Sequence, residues 1–264
     1  MVMKIKDALK LDKEDTRIIL AYLLDKSYGW IDRNPDQELS RDIYFKTREI
    51  LHKVQMGYPI QYALGKWDFY GRTFMVNPGV LIPRPETELL VEQIILDNEG
   101  PRTILDMGTG SGAIAISLKL ERNDFYLTAT DISDPALKMA EQNAKRLGAN
   151  ITFVKSDLFD QIFARFDVIV SNPPYISKKD YDNLDKHLYF EPKIALLAGE
   201  KGHEIYEKII DRAIDHLNPE GRIYFEIGYD QGEVVSGLLK DKGFKDVQVI
   251  KDYGGKDRIV KGHI

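Results

Sequence analysis

The hydrophobic positions in the first part of the chain follow a helical spacing. One apolar cluster lies within residues 18–24, and a second group of apolar residues, between 43 and 54, follows Ser40, a residue type that caps helix N-termini. Gly57 and Pro59 interrupt the helical pattern after this second segment. We therefore predict a small helical domain over residues 1–66.

A short segment with the two-residue alternation of a β-hairpin comes next. Residues 67–70 and 73–76 alternate apolar and polar side chains around a Gly-Arg pair, and an Asn-Pro-Gly turn follows. We predict that residues 67–84 form a hairpin that links two domains.

From residue 85 onward the pattern changes to short runs of Ile, Val and Leu that alternate with segments of helical period. Strands separated by helices favour parallel βαβ units, so we predict an α/β fold with a doubly wound sheet for a domain over residues 85–264. The predicted strands are 103–106, 126–131, 152–154, 166–171, 222–227, 247–250 and 257–260.

Composition narrows the chemistry that such a fold can carry. The 264 residues contain no Cys, which excludes disulfides, thiolate metal ligands and cysteine nucleophiles. The five His show no metal-ligand spacing, so we predict no metal site. The formal net charge of −5 counts against a nucleic acid as the main partner.

The sequence has no pattern typical of a membrane or secreted protein. No stretch approaches the 18 or more apolar residues of a spanning helix, and the first ten residues lack the apolar core and the small-residue cleavage site of a signal peptide. We expect a cytoplasmic protein with no membrane partner.

A glycine-rich turn, Asp106-Met107-Gly108-Thr109-Gly110-Ser111-Gly112, joins the first predicted strand of the sheet to a helix. Glycines allow backbone N–H groups at a helix N-terminus to approach a ligand closely. Asp131 ends the next strand, where a carboxylate can accept hydrogen bonds from both ribose hydroxyls of a nucleoside. The pair predicts a nucleoside site, and the glycine spacing leaves a dinucleotide open. A tight turn without a ligand is the other interpretation.

A third acidic residue, Asp157, follows the third predicted strand. A carboxylate at this edge of the sheet can accept a hydrogen bond from the exocyclic amine of an adenine ring. Asp in such a position is also a common helix cap, so the residue alone does not indicate a ligand.

The tetrapeptide Asn172-Pro173-Pro174-Tyr175 directly follows the fourth predicted strand. Ligands bind at the carboxyl ends of strands in open α/β sheets, so we expect it to face the glycine turn across the topological switch point. The prolines remove two backbone donors, which leaves the Asn172 side-chain oxygen and proline carbonyls as acceptors beside an aromatic ring. Such acceptors suit a planar –NH₂ group. A Pro-Pro turn capped by Asn is the purely structural interpretation.

These residues resemble the S-adenosylmethionine-dependent amino-methyltransferases, which carry an Asp/Asn-Pro-Pro-Tyr tetrapeptide. Further motifs, over nearly the whole chain, resemble the release-factor glutamine methyltransferases, which are protein-(glutamine-N5) methyltransferases. These motifs are Pro59-Ile60-Gln61-Tyr62 with Gly65, Leu81-Ile82-Pro83-Arg84-Pro85-Glu86-Thr87-Glu88, Asn172 to Ile176, Glu191-Pro192 with Ala195-Leu196, Glu226-Ile227-Gly228 with Gln231, and Asp257-Arg258. His203 departs from the family pattern, which commonly has an apolar residue there.

The resemblance implies a Rossmann-like, seven-stranded methyltransferase sheet, with the N-terminal helical domain recognising the substrate. It implies S-adenosylmethionine as cofactor and, as substrate, the glutamine of the Gly-Gly-Gln motif in bacterial class 1 release factors, methylated on its side-chain amide nitrogen. The residues it assigns to the cofactor are Asp106, Gly108, Thr109, Gly110, Ser111, Gly112, Asp131, Asp157, Leu158 and Asn172. The residues assigned to the substrate are Arg84, Glu86, Asn172, Pro173, Pro174 and Tyr175, with Asn172, Pro173 and Tyr175 as catalytic candidates.

The segment that carries Arg84 and Glu86 has two interpretations. It has the composition of a helix start, because Pro85 suits the first turn and acidic residues suit the positive end of the helix dipole. The family resemblance implies instead that the preceding loop closes over the active site.

Three other functions are compatible with parts of the pattern. An enzyme that methylates adenine N6 or guanine N2 would present the same planar –NH₂ group, but the negative charge argues against it. A nucleotide-binding module without activity would not need the tetrapeptide. An NAD-dependent oxidoreductase would need a proton donor at the switch point, where only Tyr175 is available. We therefore expect a monomeric enzyme whose partner is a release factor, with no stable nucleic-acid complex.

Overall fold

The structure, a computed structural model, describes residues 3–264 and divides into two compact units. The first unit is the chain up to Lys66 together with Asp185–Phe190, and the second comprises Trp67–Leu184 and Glu191–Ile264. The second unit is therefore interrupted once, by a six-residue segment that belongs to the first.

The first unit is helical, which confirms the prediction from the apolar spacing. Its elements are β1 (Met3–Lys4), α1 (Ile5–Ala8), α2 (Lys13–Leu24), α3 (Tyr28–Arg33), β2 (Glu38–Leu39), α4 (Arg41–Gln55), α5 (Ile60–Leu64) and a 3-10 helix at Lys186–Phe190. Ser40 caps α4 as predicted, because its hydroxyl accepts a hydrogen bond from the backbone N–H of Ile43 at 3.2 Å. The antiparallel pair of β1 and β2 was not predicted, because two-residue strands are too short to show an alternating pattern.

The second unit alternates strands and helices. Its first elements are β3 (Lys66–Phe69), β4 (Arg72–Met75), α6 (Glu86–Asp97), β5 (Arg102–Met107), α7 (Ala113–Glu121), β6 (Phe125–Asp131), α8 (Asp134–Leu147), β7 (Thr152–Lys155) and β8 (Phe166–Ser171). After β8 come β9 (Ile176–Ser177), α9 (Lys178–Tyr181), α10 (Lys193–Leu196), β10 (Leu197–Gly199), α11 (Glu204–Ala213), a 3-10 helix (Ile214–His216), β11 (Leu217–Glu226), α12 (Gly232–Asp241), β12 (Lys245–Lys251) and β13 (Asp257–His263). Helix α11 begins directly after His203. No helix within residues 3–264 is long and apolar enough to cross a membrane.

Seven strands form the central sheet, in the order β12-β13-β11-β8-β5-β6-β7. All seven predicted strands are present, and the pairs from β11 to β7 are parallel, so the predicted doubly wound α/β fold is confirmed. Strand β13 runs antiparallel to both of its neighbours. The strand order reverses between β5 and β8, which makes the carboxyl ends of these two strands the topological switch point.

The sheet is buried on both faces, which explains why its strands are nearly continuous apolar runs. Side chains alternate along each strand, so Ile104 and Val168 pack into one hydrophobic cluster and Leu105 and Ile169 into another. All four side chains are fully buried. The strands are therefore held rigidly by packing on both sides, and their carboxyl ends are fixed in position.

The hairpin of β3 and β4 is part of the second unit. Its turn residues Tyr70 and Gly71 both have positive φ, 48° and 70°, which is the requirement of a type I′ turn. Phe69 and Phe74 pack edge to face, with ring centroids 5.9 Å apart, inside the cluster that also covers the sheet. Residues 67–84, which the sequence pattern assigns to a linker, thus contribute to this hydrophobic core.

Candidate active site

The register of the sheet places the glycine turn and the Asn-Pro-Pro-Tyr tetrapeptide side by side. The last residue of β5, Met107, is paired with the last residue of β8, Ser171. The Ser171 hydroxyl donates a hydrogen bond to the Met107 carbonyl at 2.8 Å, which ties the two strand ends together. Gly108 and Asn172 therefore leave the sheet as neighbours.

The three glycines of the turn have different structural roles. All three have positive φ, between 57° and 82°. A Cβ built on Gly108 or Gly110 would have no atom within 4 Å, so these residues face open space. A Cβ on Gly112 would lie 2.7 Å from the Ile116 side chain and 3.2 Å from that of Ala140. Gly108 and Gly110 thus leave room for a ligand, whereas Gly112 allows α7 to pack against α8.

Asp106 lies beneath the turn. Its side chain is fully buried and accepts hydrogen bonds from the Thr109 hydroxyl at 2.6 Å and from the backbone N–H of Ala115 at 3.2 Å. Burial raises the pKa of Asp106 to about 7. Thr109 and Ser111 are also buried, so these three predicted cofactor residues hold the shape of the turn and do not line a cleft.

Asp131 is fixed at the carboxyl end of β6. One carboxylate oxygen accepts a hydrogen bond from the backbone N–H of Gly110 and the other from that of Ser133, both at 2.9 Å. Burial raises the pKa of Asp131 above its ordinary value. Each oxygen keeps a lone pair beyond these bonds, so the carboxylate can accept further hydrogen bonds from a ligand.

A cleft of about 240 Å³ opens at this edge of the sheet, within the second unit. Eight of the predicted site residues line it: Gly108, Gly110, Asp131, Asp157, Leu158, Asn172, Pro173 and Pro174. The cleft also has apolar lining residues that sequence reasoning did not assign to the site, and we call them the apolar wall. The residues of that wall are Val80, Leu81, Ile132, Pro192, Ile194, Ala195 and Leu197. Leu81, Pro192 and Ala195 belong to motifs that carry the family resemblance. Nothing else in the sequence indicated that these three residues line the cleft.

The tetrapeptide divides between the cleft and the core. Asn172 donates a hydrogen bond from Nδ2 to the Thr87 hydroxyl at 3.2 Å. Tyr175 does not line the cleft; it packs against the hydrophobic cluster on one face of the sheet, and burial raises its pKa to about 12. The Tyr175 carbonyl accepts a hydrogen bond from Nε2 of Gln231 at 3.0 Å. The tyrosine ring therefore packs against the hydrophobic core and does not line the cleft.

Arg84 and Glu86 also lie outside the walls of the cleft. Arg84 forms an ion pair with Glu191, whose side chain is 1% exposed, and the same carboxylate accepts the backbone N–H of Ile82 at 3.0 Å. These contacts hold the segment that contributes Leu81 to the apolar wall. Glu86 is in the first turn of α6, and Pro85 occupies the N-cap position, so the helix-start interpretation describes this segment correctly.

The cleft fits a nucleoside whose base lies against an apolar surface. Gly108 and Gly110 have no side chain to block a ligand, and they lie beside Asp131, whose carboxylate has free lone pairs. The apolar wall suits the faces of an adenine ring. No cluster of metal ligands exists among residues 3–264, and none of the residues lining the cleft is a histidine.

The fold and this cleft define an S-adenosylmethionine-dependent methyltransferase. The family model described as Methyltransferase small domain matches residues 84–196, and the one described as PrmC N-terminal domain matches residues 4–65. The chain is 46% identical to the release factor glutamine methyltransferase of Streptococcus pneumoniae over 217 residues. The aligned region covers 81% of this chain and 78% of that protein. It belongs to the family of release factor glutamine methyltransferases.

One further comparison concerns the family and another concerns the fold. The release factor glutamine methyltransferase of Neisseria gonorrhoeae is 39% identical over 256 residues, covering 96% of this chain and 94% of that protein. The crystal structure of a methyltransferase from Pyrococcus furiosus superposes with a TM-score of 0.57 at 22% identity, covering 81% of this chain and 98% of that one. The first comparison extends over both units, and the second supports the fold.

Replacing Asp131 tests whether the cleft holds the cofactor as its geometry suggests. We expect Asp131→Ala to weaken S-adenosylmethionine binding by about ten- to a hundredfold, because hydrogen bonds to a charged acceptor contribute about 1.5–3 kcal/mol. Isothermal titration calorimetry measures the change in Kd. Asp134→Ala is the matched control, since Asp134 is a highly exposed carboxylate at the start of α8 and does not line the cleft. An unchanged Kd in Asp131→Ala would place the cofactor elsewhere.

Proposed function

We propose that this enzyme transfers a methyl group from S-adenosylmethionine to the side-chain amide nitrogen of the glutamine in the Gly-Gly-Gln motif of class 1 peptide-chain release factors. The observation that carries the proposal is the position of Asn172, Pro173 and Pro174 in the wall of the cleft, beside the glycine turn. Membership of the release factor glutamine methyltransferase family supports the substrate class.

In this proposal the cofactor occupies the cleft along the glycine turn. Asp131 accepts hydrogen bonds from the ribose hydroxyls, and Asp157 and Leu158 lie beside the adenine ring. Gly108 and Gly110 allow close approach of the backbone, while the buried residues of the turn keep its shape. S-adenosylmethionine supplies an electrophilic methyl group on a positively charged sulfur.

The amide nitrogen is a poor nucleophile because its lone pair is delocalised into the adjacent carbonyl group. The proposed acceptors for its two N–H bonds are the side-chain oxygen of Asn172 and the backbone carbonyl of Pro173. Within residues 3–264 no donor bonds to Oδ1 of Asn172, so this oxygen is available to a substrate. Fixing both N–H bonds orients the nitrogen lone pair and stabilises the positive charge that develops on nitrogen.

The two prolines of the loop favour binding of an –NH₂ group because they have no backbone donor. Neither Pro173 nor Pro174 has a backbone N–H, so no donor from these residues competes with the –NH₂ group for the acceptors. Pro173 is buried, which restricts movement of the loop. The loop is therefore a rigid strip of acceptors. In the proposed step the N–C bond forms as the C–S bond of the sulfonium breaks and S-adenosylhomocysteine leaves, and the methylated amide nitrogen then releases one proton to solvent. No general base is therefore needed to remove a proton before transfer.

The first unit and the cellular setting are part of the same proposal. We propose that the helical unit recognises the release factor and that the enzyme acts as a monomer in the cytoplasm, where release factors work. The net charge of −5 supports a protein substrate over a nucleic acid and argues against a stable nucleic-acid complex.

Mass spectrometry of the reaction product tests the proposed function. We expect a purified class 1 release factor, incubated with the enzyme and S-adenosylmethionine, to gain one methyl group on the glutamine of its Gly-Gly-Gln motif. A release factor with this glutamine changed to glutamate is the matched control and should gain none. Transfer to another residue, or to ribosomal or transfer RNA in a parallel reaction, would contradict the proposal.

Asn172 is the residue on which the proposed chemistry depends most. We expect Asn172→Ala to lower kcat by at least about a hundredfold, the size of effect seen when a group that stabilises developing charge is removed. Its Kd for S-adenosylmethionine, measured by calorimetry, should change little because Asp131 and the glycine turn remain. The matched control is Asn123→Ala, at an exposed position before β6. Full activity of Asn172→Ala would exclude the proposed role.

A further inference from the structure

A side-chain amide that the proposed chemistry does not use joins three loops of the second unit. Gln231 lies at the N-cap position of α12. Its Nε2 donates hydrogen bonds to the backbone carbonyls of Tyr175 and Gly202, and its Oε1 accepts one from the backbone N–H of Gly228, each at 3.0 Å. Tyr175 ends the tetrapeptide, Gly202 precedes α11 and Gly228 follows β11. One side chain therefore connects segments that are far apart in the sequence.

Two glycines allow the loops to come this close to the amide. A Cβ on Gly202, whose φ is 92°, would lie 2.8 Å from the Tyr175 carbonyl oxygen and 3.1 Å from Nε2 of Gln231. A Cβ on Gly228 would lie 3.0 Å from Oε1 of Gln231. A side chain at either position would therefore push the loops away from the amide.

The direction of each hydrogen bond at Gln231 is fixed by its partner. The carbonyl oxygens of Tyr175 and Gly202 can only accept, and the backbone N–H of Gly228 can only donate. The side chain between them must therefore supply two donors and one acceptor. A neutral amide supplies both kinds, whereas a carboxylate has acceptors alone. The surroundings of this position thus require an amide.

The Asn-Pro-Pro-Tyr loop is fixed at its start by the sheet and at its end by this amide. Ser171, directly before the loop, is paired with the strands on both sides of β8. The two prolines have no backbone N–H and can donate no hydrogen bond. Gln231 is the one side chain among residues 3–264 that hydrogen-bonds to the backbone of residues 172–175. The placement of the proline carbonyls therefore depends on this contact.

The other two partners of Gln231 have further support. The backbone N–H of Gly202 donates to the carboxylate of Glu204 at 2.9 Å. The Gly228 carbonyl accepts a hydrogen bond from the backbone N–H of Gln231 at 3.0 Å, which no side-chain substitution removes. Loss of the amide should therefore disturb the tetrapeptide loop more than the other two segments.

We propose that Gln231 is a positioning residue, which holds the Tyr175 carbonyl and thereby places the acceptors of the Asn-Pro-Pro-Tyr loop for the substrate –NH₂ group. The role in catalysis rests on the proposed function, whereas the hold on the loop is a property of the free enzyme. Gln231 does not line the cleft, so it acts through the loop.

The first test separates catalysis from cofactor binding. Gln231→Met keeps the length of the side chain and removes the three hydrogen bonds of the amide. It should lower kcat on the release factor by about ten- to a hundredfold, because misplacing a group by about 1 Å can cost about a hundredfold. The Kd for S-adenosylmethionine, measured by calorimetry, should stay within about threefold of wild type, because no hydrogen bond to the cofactor is lost. The matched control is Gln248→Met, at an exposed position of β12 outside the cleft.

The second test uses Gln231→Glu to vary the number of donors. An ionised carboxylate would place an acceptor against two carbonyl oxygens, and this repulsion raises the pKa of the introduced carboxyl above its ordinary value. Protonation supplies one donor, so one carbonyl regains its hydrogen bond as the pH falls. We expect kcat of Gln231→Glu relative to wild type to rise at least about threefold from about pH 8 to about pH 6. The relative kcat of Gln231→Met should not change over this range. Gln248→Glu is the matched control.

The groups that titrate around this position are the same in the wild type and in both variants. The titratable and charged groups on the surrounding segments are Tyr175, Lys201, His203, Glu204, Asp230 and Asp257. Division by the wild-type rate at each pH removes their contribution. A relative kcat of Gln231→Glu that is low and independent of pH would contradict the account of the three hydrogen bonds.

The third test needs no substrate. Hydrogen–deuterium exchange of the free, full-length enzyme, followed by mass spectrometry, should be faster in Gln231→Met than in wild type for peptides that contain residues 175–178. Exchange in the glycine turn should be unchanged, because its contacts remain. Equal exchange of residues 175–178 in the two proteins would overturn the proposal.

The outcomes distinguish this inference from the proposed function. If the wild type methylates no release-factor glutamine, the proposed function fails, and the exchange of residues 175–178 decides whether Gln231 holds the loop. If the wild type is active and both variants match it in kcat across the pH range, the positioning role is wrong. A loss of kcat together with an equal loss of cofactor affinity and thermal stability would indicate a general defect in folding and would also contradict the proposal.

Discussion

The register of three parallel strands determines the active site. Met107 of β5 stands opposite Ser171 of β8, and Ser171 stands opposite Phe225 of β11. The glycine turn and the Asn-Pro-Pro-Tyr loop directly follow β5 and β8, and Glu226 is the last residue of β11, so the three lie side by side at one edge of the sheet. Since a shift by one residue would turn every side chain to the opposite face, packing of both faces of the sheet is what keeps these segments in place.

Buried carboxylates are concentrated at this edge of the sheet. Asp106, Glu191 and Glu226 are almost completely removed from solvent. Asp106 holds the glycine turn, Glu191 pairs with Arg84 and holds the segment of the apolar wall, and Glu226 ends β11. Burying such groups costs free energy unless they are paired, so their concentration here indicates that the site is organised at the expense of stability.

Much of the fold was predictable because its signals are local. The strands of the sheet are apolar runs bounded by turns, and Ser40 and Gly71 carry the chemistry of a cap and of a hairpin turn. The local sequence pattern did not show the contacts between residues that are far apart in the sequence. The apolar wall joins Leu81 to Ile194, Arg84 pairs with Glu191, and Thr87 bonds to Asn172. The glycine spacing did not identify the cofactor, because several nucleotides fit such a turn. Similarity over the whole chain identified S-adenosylmethionine as the cofactor.

In the proposed function, the acceptors of the Asn-Pro-Pro-Tyr loop hold a planar amide beside the cofactor. A crystal structure of the enzyme with S-adenosylhomocysteine and a peptide containing Gly-Gly-Gln would show whether the glutamine amide binds in this way. We expect the amide nitrogen to lie within about 2.7–3.2 Å of both Oδ1 of Asn172 and the carbonyl oxygen of Pro173. A glutamine bound outside the cleft, or with its carbonyl oxygen toward Asn172, would contradict it.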